Sequence, residues 1–292
     1  MKKFLLFAII LCATLSVVAQ NADSVQFATA QRHQLTLPKG AEGYTIERVN
    51  LFNSVQTISV IKYSPKRFRT AIVQPEKLTQ LATTASEANT DFGVNAGYWD
   101  VRIDKPSTFL VLNGKQISAT AEFEKERVDG VVCIAKRKIV IDHCKADAEA
   151  PYTAKYDNIL ASGPILIDEG KSVDHTAYTN GMVDSAGGKP VGAFYTYTRR
   201  HPRTAMGCDK SGNIYLVVVD GRSRGNAEGV TIAELTKVCE WLGMRDAINL
   251  DGGGSSTMWN RSMGVVNNPC GNKKFDHEGD RKVSSCIVVK RR

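Results

Sequence analysis

Beyond its first twenty residues the chain has no apolar run near the roughly 20 residues that span a bilayer as a helix, so no membrane-crossing helix is expected in its body. It has no CxxC pair and no His-Cys cluster, and its five histidines are scattered. Neither a zinc site nor a histidine ligand set is indicated, and no metal or other cofactor is expected. Phosphate-loop chemistry is missing too: the GGGSS run at 252–256 lacks the lysine, and Gly187, Gly188 and Lys189 run into Pro190, where a Walker motif needs Ser or Thr. Ser255 lies outside a G-x-S-x-G frame, which argues against a nucleophile-elbow hydrolase. The basic residues are dispersed and form no recognised nucleic-acid motif. There is no internal repeat and no low-complexity tract.

What is present starts with a leader. Lys2 and Lys3 precede an apolar run from Phe4 to Leu11, and Val17 and Ala19 supply the small residues expected before cleavage. Residues 1–19 therefore read as a secretory signal peptide, and the expectation is export to the periplasm or the extracellular space. Leu11 occupies the position where a lipobox wants a small residue, so Cys12 is not a lipid-attachment site. A length of 292 residues, 42% hydrophobic and 23% charged, supports a sizeable core. A single domain over 20–292 is expected, strand-rich at about 44–74. Loss of the two leader lysines takes the formal charge from +8 to +6, a basic balance that favours anionic ligands. Six cysteines remain, which allow fifteen complete pairings and no choice among them. Cys239 reads as a buried thiol.

Ile46 to Leu51 and Thr57 to Ile61 alternate β-branched and polar residues and predict opening strands. Pro75 predicts a helix start, with Leu78, Leu81, Ala82 and Ala85 on one face. Asp91 to Val94 leads as a short strand into Asn95. Asn113-Gly114 is the strongest hairpin signal in the chain, and a second hairpin is expected across Val131–Ile141 around Lys136–Lys138. Asp174 to Pro190, rich in glycine, serine and polar residues, predicts a long loop.

The densest chemistry lies between Arg199 and Trp259. Ile214 to Val219 is an unbroken apolar run, as expected for a strand covered on both faces. Thr231 and Glu234 form a capping-box pattern, and Ile232, Leu235, Val238, Cys239 and Leu242 recur at helical spacing until Gly243. Ala247 to Leu250 is apolar again. Strand, helix and strand in that order favour a parallel pair with a right-handed crossover. The expected fold is α+β, a mixed β-sheet core with flanking helices and this strand-helix-strand unit in the C-terminal half. Asp220 and Asp251 then each close a strand and open a glycine turn on one sheet edge, where ligands of open α/β sheets bind. Turn residues alone would explain Asp-Gly sequences. Two such aspartates beside arginines point instead to a site.

RHPRTAMG (200–207), LVVVDGR (216–222), GVTIAEL (229–235) and NLDGGGSSTMW (249–259) together resemble the phosphodiester glycosidase family. VNAGYWD (94–100) is similar to its asparagine-glycine-aromatic motif and LASGPILID (160–168) to its glycine-proline segment, while VVNNP (265–269) and DRKVSS (280–285) look like its closing elements. The set covers most of the chain beyond the leader. Ala96 stands where a glycine is common, and Cys270 to Glu278 forms an unusual insertion. The resemblance implies hydrolysis of the bond between a sugar's anomeric carbon and a phosphate diester, with a phosphorylated carbohydrate as partner.

On that reading Asp220 and Asp251 are the catalytic candidates, as base, nucleophile or electrostatic stabiliser. A separation of roughly 5 Å would mean retention and roughly 6.5 to 9.5 Å inversion. A phosphate leaving group is much less basic than a sugar alkoxide, so strong general-acid help is less necessary. Arg203 and Arg222 suit bidentate phosphate contacts, or else internal ion pairs, with Thr204 and Gly221 beside them. Gly252, Gly253 and Gly254 let the backbone approach an anion, and Ser255 and Ser256 add hydroxyl donors; the alternative is a turn with solvated serines. Asn95, Gly97, Tyr98 and Asp100 are expected on the sugar side, with a buried aromatic corner as the competing account of Tyr98 and the better one for Trp99. Asn249 orients Asp251 or caps the turn. The rival functions are a noncatalytic binder of anionic glycans or cell-envelope polymers and a phosphodiesterase that cuts phosphorus to oxygen.

Overall fold

The computed structural model describes residues 22–176 and 193–292; the leader and residues 177–190 of the expected long loop lie outside the described residues. Ile214–Val219 sits in the middle of an eight-stranded sheet, in spatial order His33–Gln34, Ala41–Leu51, Ser54–Tyr63, Ile214–Val219, Arg203–Cys208, Asp246–Asn249, Ile165–Asp168 and Lys171–Ser172. Its alternate residues Ile214, Leu216 and Val218 face a core shared with two further sheets. Tyr215, Val217 and Val219 face the opposite layer, which holds the helix Ile232–Trp241. Burial on both faces is why the run shows no polar alternation.

Two five-stranded sheets close the first face. One runs Lys115–Ser118, Leu110–Leu112, Ile159–Ser162, Gly130–Ile134 and Ile139–His143; the other runs Gly264–Val265, Met258–Asn260, Phe92–Asn95, Cys286–Arg291 and Phe68–Val73. Leu110, Val132 and Leu160 from one, and Phe68, Phe92 and Val289 from the other, meet Ile61, Met206 and Ile248 of the large sheet in one apolar cluster. On the other face the Ile232–Trp241 helix buries Ile232, Leu235, Val238 and Cys239, each of the larger side chains worth about 1.5–3 kcal/mol. Its start is fixed by the capping box: Glu234 N donates to Thr231 Oγ1 at 3.2 Å, and Thr231 N donates to the Glu234 carboxylate at 2.9 Å. Gly243, at φ 74°, follows its end.

The chain is α+β with more strand than helix, but its sheets are not mixed. Every strand pairing among the described residues is antiparallel. The strands at 214–219 and 246–249 do run in the same direction, yet Arg203–Cys208 lies between them and pairs antiparallel with both. The helix crossing leaves a slot one strand wide, and the chain fills it with a segment whose polar, arginine-bearing start obscures its strand character. The helix expected from Pro75 begins at Leu81, because Thr79–Gln80 pairs with Lys282–Val283 and its backbone is committed to that ladder. Hairpins form around Asn113-Gly114 and residues 135–138. The Ala41–Leu51 and Ser54–Tyr63 strands are joined through Phe52 and Asn53, both at positive φ, the conformation a two-residue hairpin loop requires. The six cysteines are free, five of them buried.

Candidate active site

Strand register brings the two aspartates to one edge. Arg203 is paired with Val219 and Ala205 with Asn249, so Asp220 and Asp251 both emerge beside the start of the Arg203–Cys208 strand. Phe92–Asn95 delivers a third turn to the same region: Asn95 Nδ2 donates to the Asp251 carbonyl at 2.6 Å, and Asp251 N donates to the Ala96 carbonyl at 2.9 Å. The Asn95 Oδ1 accepts from Thr204 Oγ1 at 2.7 Å and from Thr257 N at 3.1 Å. Asn95 thus clamps the Asp251 peptide, the Thr204 strand and the Thr257 backbone just before the Met258–Asn260 strand.

The two carboxylates have different surroundings. Asp220 is 2% exposed, and both of its oxygens are taken: Asn267 Nδ2 donates to Oδ1 at 2.7 Å, while Asn268 N and Nδ2 donate to Oδ2 at 2.9 and 3.0 Å. Burial pushes its carboxyl up and these three donors hold it down. Asn267 Nδ2 also reaches the Ser256 carbonyl at 3.1 Å, tying Asp220 to the glycine turn. Asp220→Asn turns one acceptor into a donor facing other donors, and leaving such buried groups unmatched costs about 1–3 kcal/mol. Denaturant unfolding is expected to show that loss; unchanged stability would remove the structural role.

Asp251 has spare capacity. Its Oδ2 is buried with no hydrogen-bond partner among the described residues, and Arg281 Nη2 stands 4.0 Å from it. Burial pushes this carboxyl up, opposed by the Ser255 hydroxyl and by the Arg281 and Arg127 guanidiniums. Arg281 holds Ser255 from two atoms, Nε at 3.1 Å and Nη2 at 2.6 Å from Oγ. It crosses Gly254 on one side and lies 5.3 Å from the centre of the Trp99 ring on the other. Arg222, exposed and without a carboxylate partner among the described residues, lies over Gly253. Gly253 suits glycine because its φ is 62°, and a Cβ there would press on the Arg222 guanidinium, 3.0 Å from Nη2. Gly252 packs on the Pro202 carbonyl, too close for a Cβ. The Gly253, Ser255 and Ser256 amides donate to Pro202, Gly252 and Gly253 carbonyls, so the turn is self-bonded rather than an open nest of five donors. Ser256 Oγ is buried and has no hydrogen-bond partner among the described residues. The Cys270 insertion closes over the same turn, its thiol 3.8 Å from the Gly253 carbonyl and 3.9 Å from Arg222 Nη1.

Several expected ligand contacts are engaged by the protein itself. Arg203 is 3% exposed, and its Nε and Nη2 donate to the carbonyls of Val230, Thr196 and Arg199; it braces the 193–199 segment instead of facing a phosphate. Thr204 is spent on Asn95. Asp100 is held bidentately by Arg102, which keeps its carboxyl at about 2. Tyr98 is buried: its hydroxyl donates to the Gly163 carbonyl at 2.7 Å and accepts from Asn249 Nδ2 at 2.9 Å, and Arg127 covers its ring at 4.1 Å. Asn249 therefore locks Tyr98 and the Gly163 turn, not the Asp251 carboxylate. Gly97 N donates to Ser285 Oγ at 3.0 Å, and Gly221 packs against Pro202. The aromatic roles are exchanged: Tyr98 is the corner, and half-buried Trp99 lies beneath Arg281. The common reason is burial, since an enclosed polar side chain must find a partner within the fold. Arg281 and Arg127 were missed; the DRKVSS segment carried the signal for the first, and nothing local marks the second.

The phosphodiester glycosidase family model matches residues 88–290, well over half of the chain.

The chain belongs to the phosphodiester glycosidase family.

No curated protein matches it in sequence. Its fold is similar to that of the catalytic domain of zebrafish N-acetylglucosamine-1-phosphodiester alpha-N-acetylglucosaminidase, auto-inhibited by its pro-peptide, with a TM-score of 0.68 at 16% identity over 94% of this chain and 93% of that one. A Synechocystis protein gives a TM-score of 0.64 at 14% identity over 90% of this chain; the chain spans 64% of that protein's length. A Burkholderia pseudomallei protein described as exported gives 0.60 at 15% identity, with 82% of this chain and 75% of that chain covered. The family's description is that of a glycosidase-type hydrolase. Among the described residues no helix is long and apolar enough to cross a membrane.

Proposed function

We propose that the protein hydrolyses the bond between a sugar's anomeric carbon and a phosphodiester, with Asp251 as the reacting-centre carboxylate and phosphorylated glycans or sugar 1-phosphodiesters as substrates. The observation that carries this reading is the unpartnered buried Oδ2 of Asp251 beside Arg281, on a glycine turn that two guanidiniums cover. Arg281 and Arg222 suit the phosphate oxygens, because planar guanidiniums donate in pairs. The carbon–oxygen bond breaks with its electron pair leaving on the phosphate, so the positive charge develops on the sugar, where an ionised Asp251 stabilises it; water adds to the anomeric carbon and loses a proton, giving the free sugar and the phosphomonoester. Asp220 supports the Asn267–Ser256 side of the turn. The zebrafish enzyme's name describes a reaction of this type.

Hydrolysis of a sugar 1-phosphodiester in oxygen-18 water tests the bond broken. Label is expected in the released sugar. Label in the phosphate product would make the protein a phosphorus–oxygen phosphodiesterase, and binding without turnover would make it a glycan binder.

A further inference from the structure

A cleft of about 680 Å³ lies between residues 74–78, 103–106 and 117–118, with Lys282 and Ser284 completing its wall. Two of its residues neighbour residues of the site. Lys282 follows Arg281, the residue 4.0 Å from Asp251, and Trp99, which lies under Arg281, is paired in register with Pro106 of the cleft wall. Three lysines line the cleft, Lys77, Lys105 and Lys282, and none forms an ion pair with a described residue. Two carboxylates, Glu76 and Asp104, also line it, so the lysines are in excess by one. Ser284 lines the cleft with a buried hydroxyl that has no hydrogen-bond partner among the described residues. Ile103 and Ile117, 61% and 37% exposed, supply an apolar wall.

Unpaired cations, an unfilled hydroxyl and an exposed aliphatic face together match one ligand chemistry, a sugar that carries its own anionic group. We propose that this cleft is the aglycone subsite and that it selects leaving groups bearing a second negative charge, a phosphate or carboxylate on a glycan, in addition to the phosphodiester being cut. The assignment rests on Asp251 being the reaction centre. The scissile phosphate is held at Arg281 and Arg222, and the lysines then meet the anionic group further along the aglycone.

Two measurements separate this proposal from the catalytic one. The first compares sugar 1-phosphodiesters whose aglycone is a neutral hexose or the same hexose carrying a phosphomonoester. The anionic aglycone is expected to have about a tenfold lower KM, the sum of three exposed charge contacts each worth under about 1 kcal/mol. The variant K77Q/K105Q/K282Q is expected to bring that KM up to the neutral value while leaving kcat and the neutral substrate unchanged. Equal KM values in the parent protein, or a triple variant that still discriminates, would overturn the subsite. The second measures calorimetric binding of hexose 6-phosphate and of free hexose to Asp251→Asn, with and without the three lysine substitutions. Lysine-dependent binding of the phosphate form alone is expected, whether or not any diester is turned over. If it occurs without turnover, the anion site stands and the catalytic reading falls; if neither sugar binds, or both bind alike, the anion site is wrong.

Discussion

Asp251→Asn is expected to lower turnover of a sugar 1-phosphodiester by at least about two orders of magnitude, the lower end of what a positioned acid or base contributes. The same substitution is expected to stabilise the fold at neutral pH. Burial raises the Asp251 carboxyl above its ordinary 3.8, so the folded state holds the proton more tightly than the unfolded chain. Below the ordinary value both states are protonated and the group has no effect. As pH rises through the interval between the ordinary and the raised value, the folded state acquires a charge that it disfavours, and stability falls; above it the penalty is constant. Asparagine removes that penalty. The midpoint of thermal unfolding of Asp251→Asn should therefore exceed the parent's at pH 7 and converge with it below the ordinary carboxylate range. The rate profile has the matching sign: an ionised Asp251 gives an acid limb displaced above 3.8. Full activity in the folded variant would end the assignment of Asp251, and a fall in stability at pH 7 would mean that the charge is better compensated than its lone oxygen indicates. Asp220 makes the contrast: burial raises its carboxyl too, but all three donors are in place, so Asp220→Asn forfeits hydrogen bonds that Asp251→Asn does not, and that loss opposes the relief.

Arg281→Gln is expected to cost about 10²- to 10³-fold in kcat/KM, the effect of removing one preorganised donor from a developing charge. The residue does three things at once: it faces Asp251 Oδ2, holds Ser255 Oγ with two nitrogens and lies over Trp99. Losing its positive charge also raises the Asp251 carboxyl further, so the acid limb should move to higher pH. Arg281→Lys keeps the charge but not the two-nitrogen contact with Ser255. It should restore the position of the acid limb and leave much of the rate deficit, a split that a merely structural residue would not show. An Arg281→Gln protein with parental kcat/KM would remove the arginine from the site.

Much of the site region was legible in the residues. Asp220, Asp251 and the glycine turn announce themselves because each follows an apolar run that ends abruptly, and an acid at such a place is bound to sit at a sheet edge. The capping box at Thr231 and the hairpin at Asn113-Gly114 are local events, decided by side chains within three or four residues, and so are readable in one stretch of sequence. The strand at 203–208 was not readable as a strand between two others, because its partners are set by pairing over long separations. Tyr98 and Trp99 show the same limit at the scale of two neighbours. They point to opposite sides, and which side is solvent depends on Arg127 and Arg281, which come from distant parts of the chain.

Sequence by itself determined that the chain carries two strand-terminal acids, a glycine turn with hydroxyls, arginines near both, and the ordered motifs of a phosphodiester glycosidase. Tertiary structure alone decided which of these groups remain available. Arg203, Asn95, Thr204, Tyr98 and Asp100 are bound by the protein's own partners, Asp220 is saturated, and Asp251 keeps a buried oxygen beside Arg281. The reason is physical: residue type fixes what a side chain can donate or accept, but whether that capacity is left over depends on what the fold brings within hydrogen-bond reach, and here those partners lie up to more than a hundred residues away.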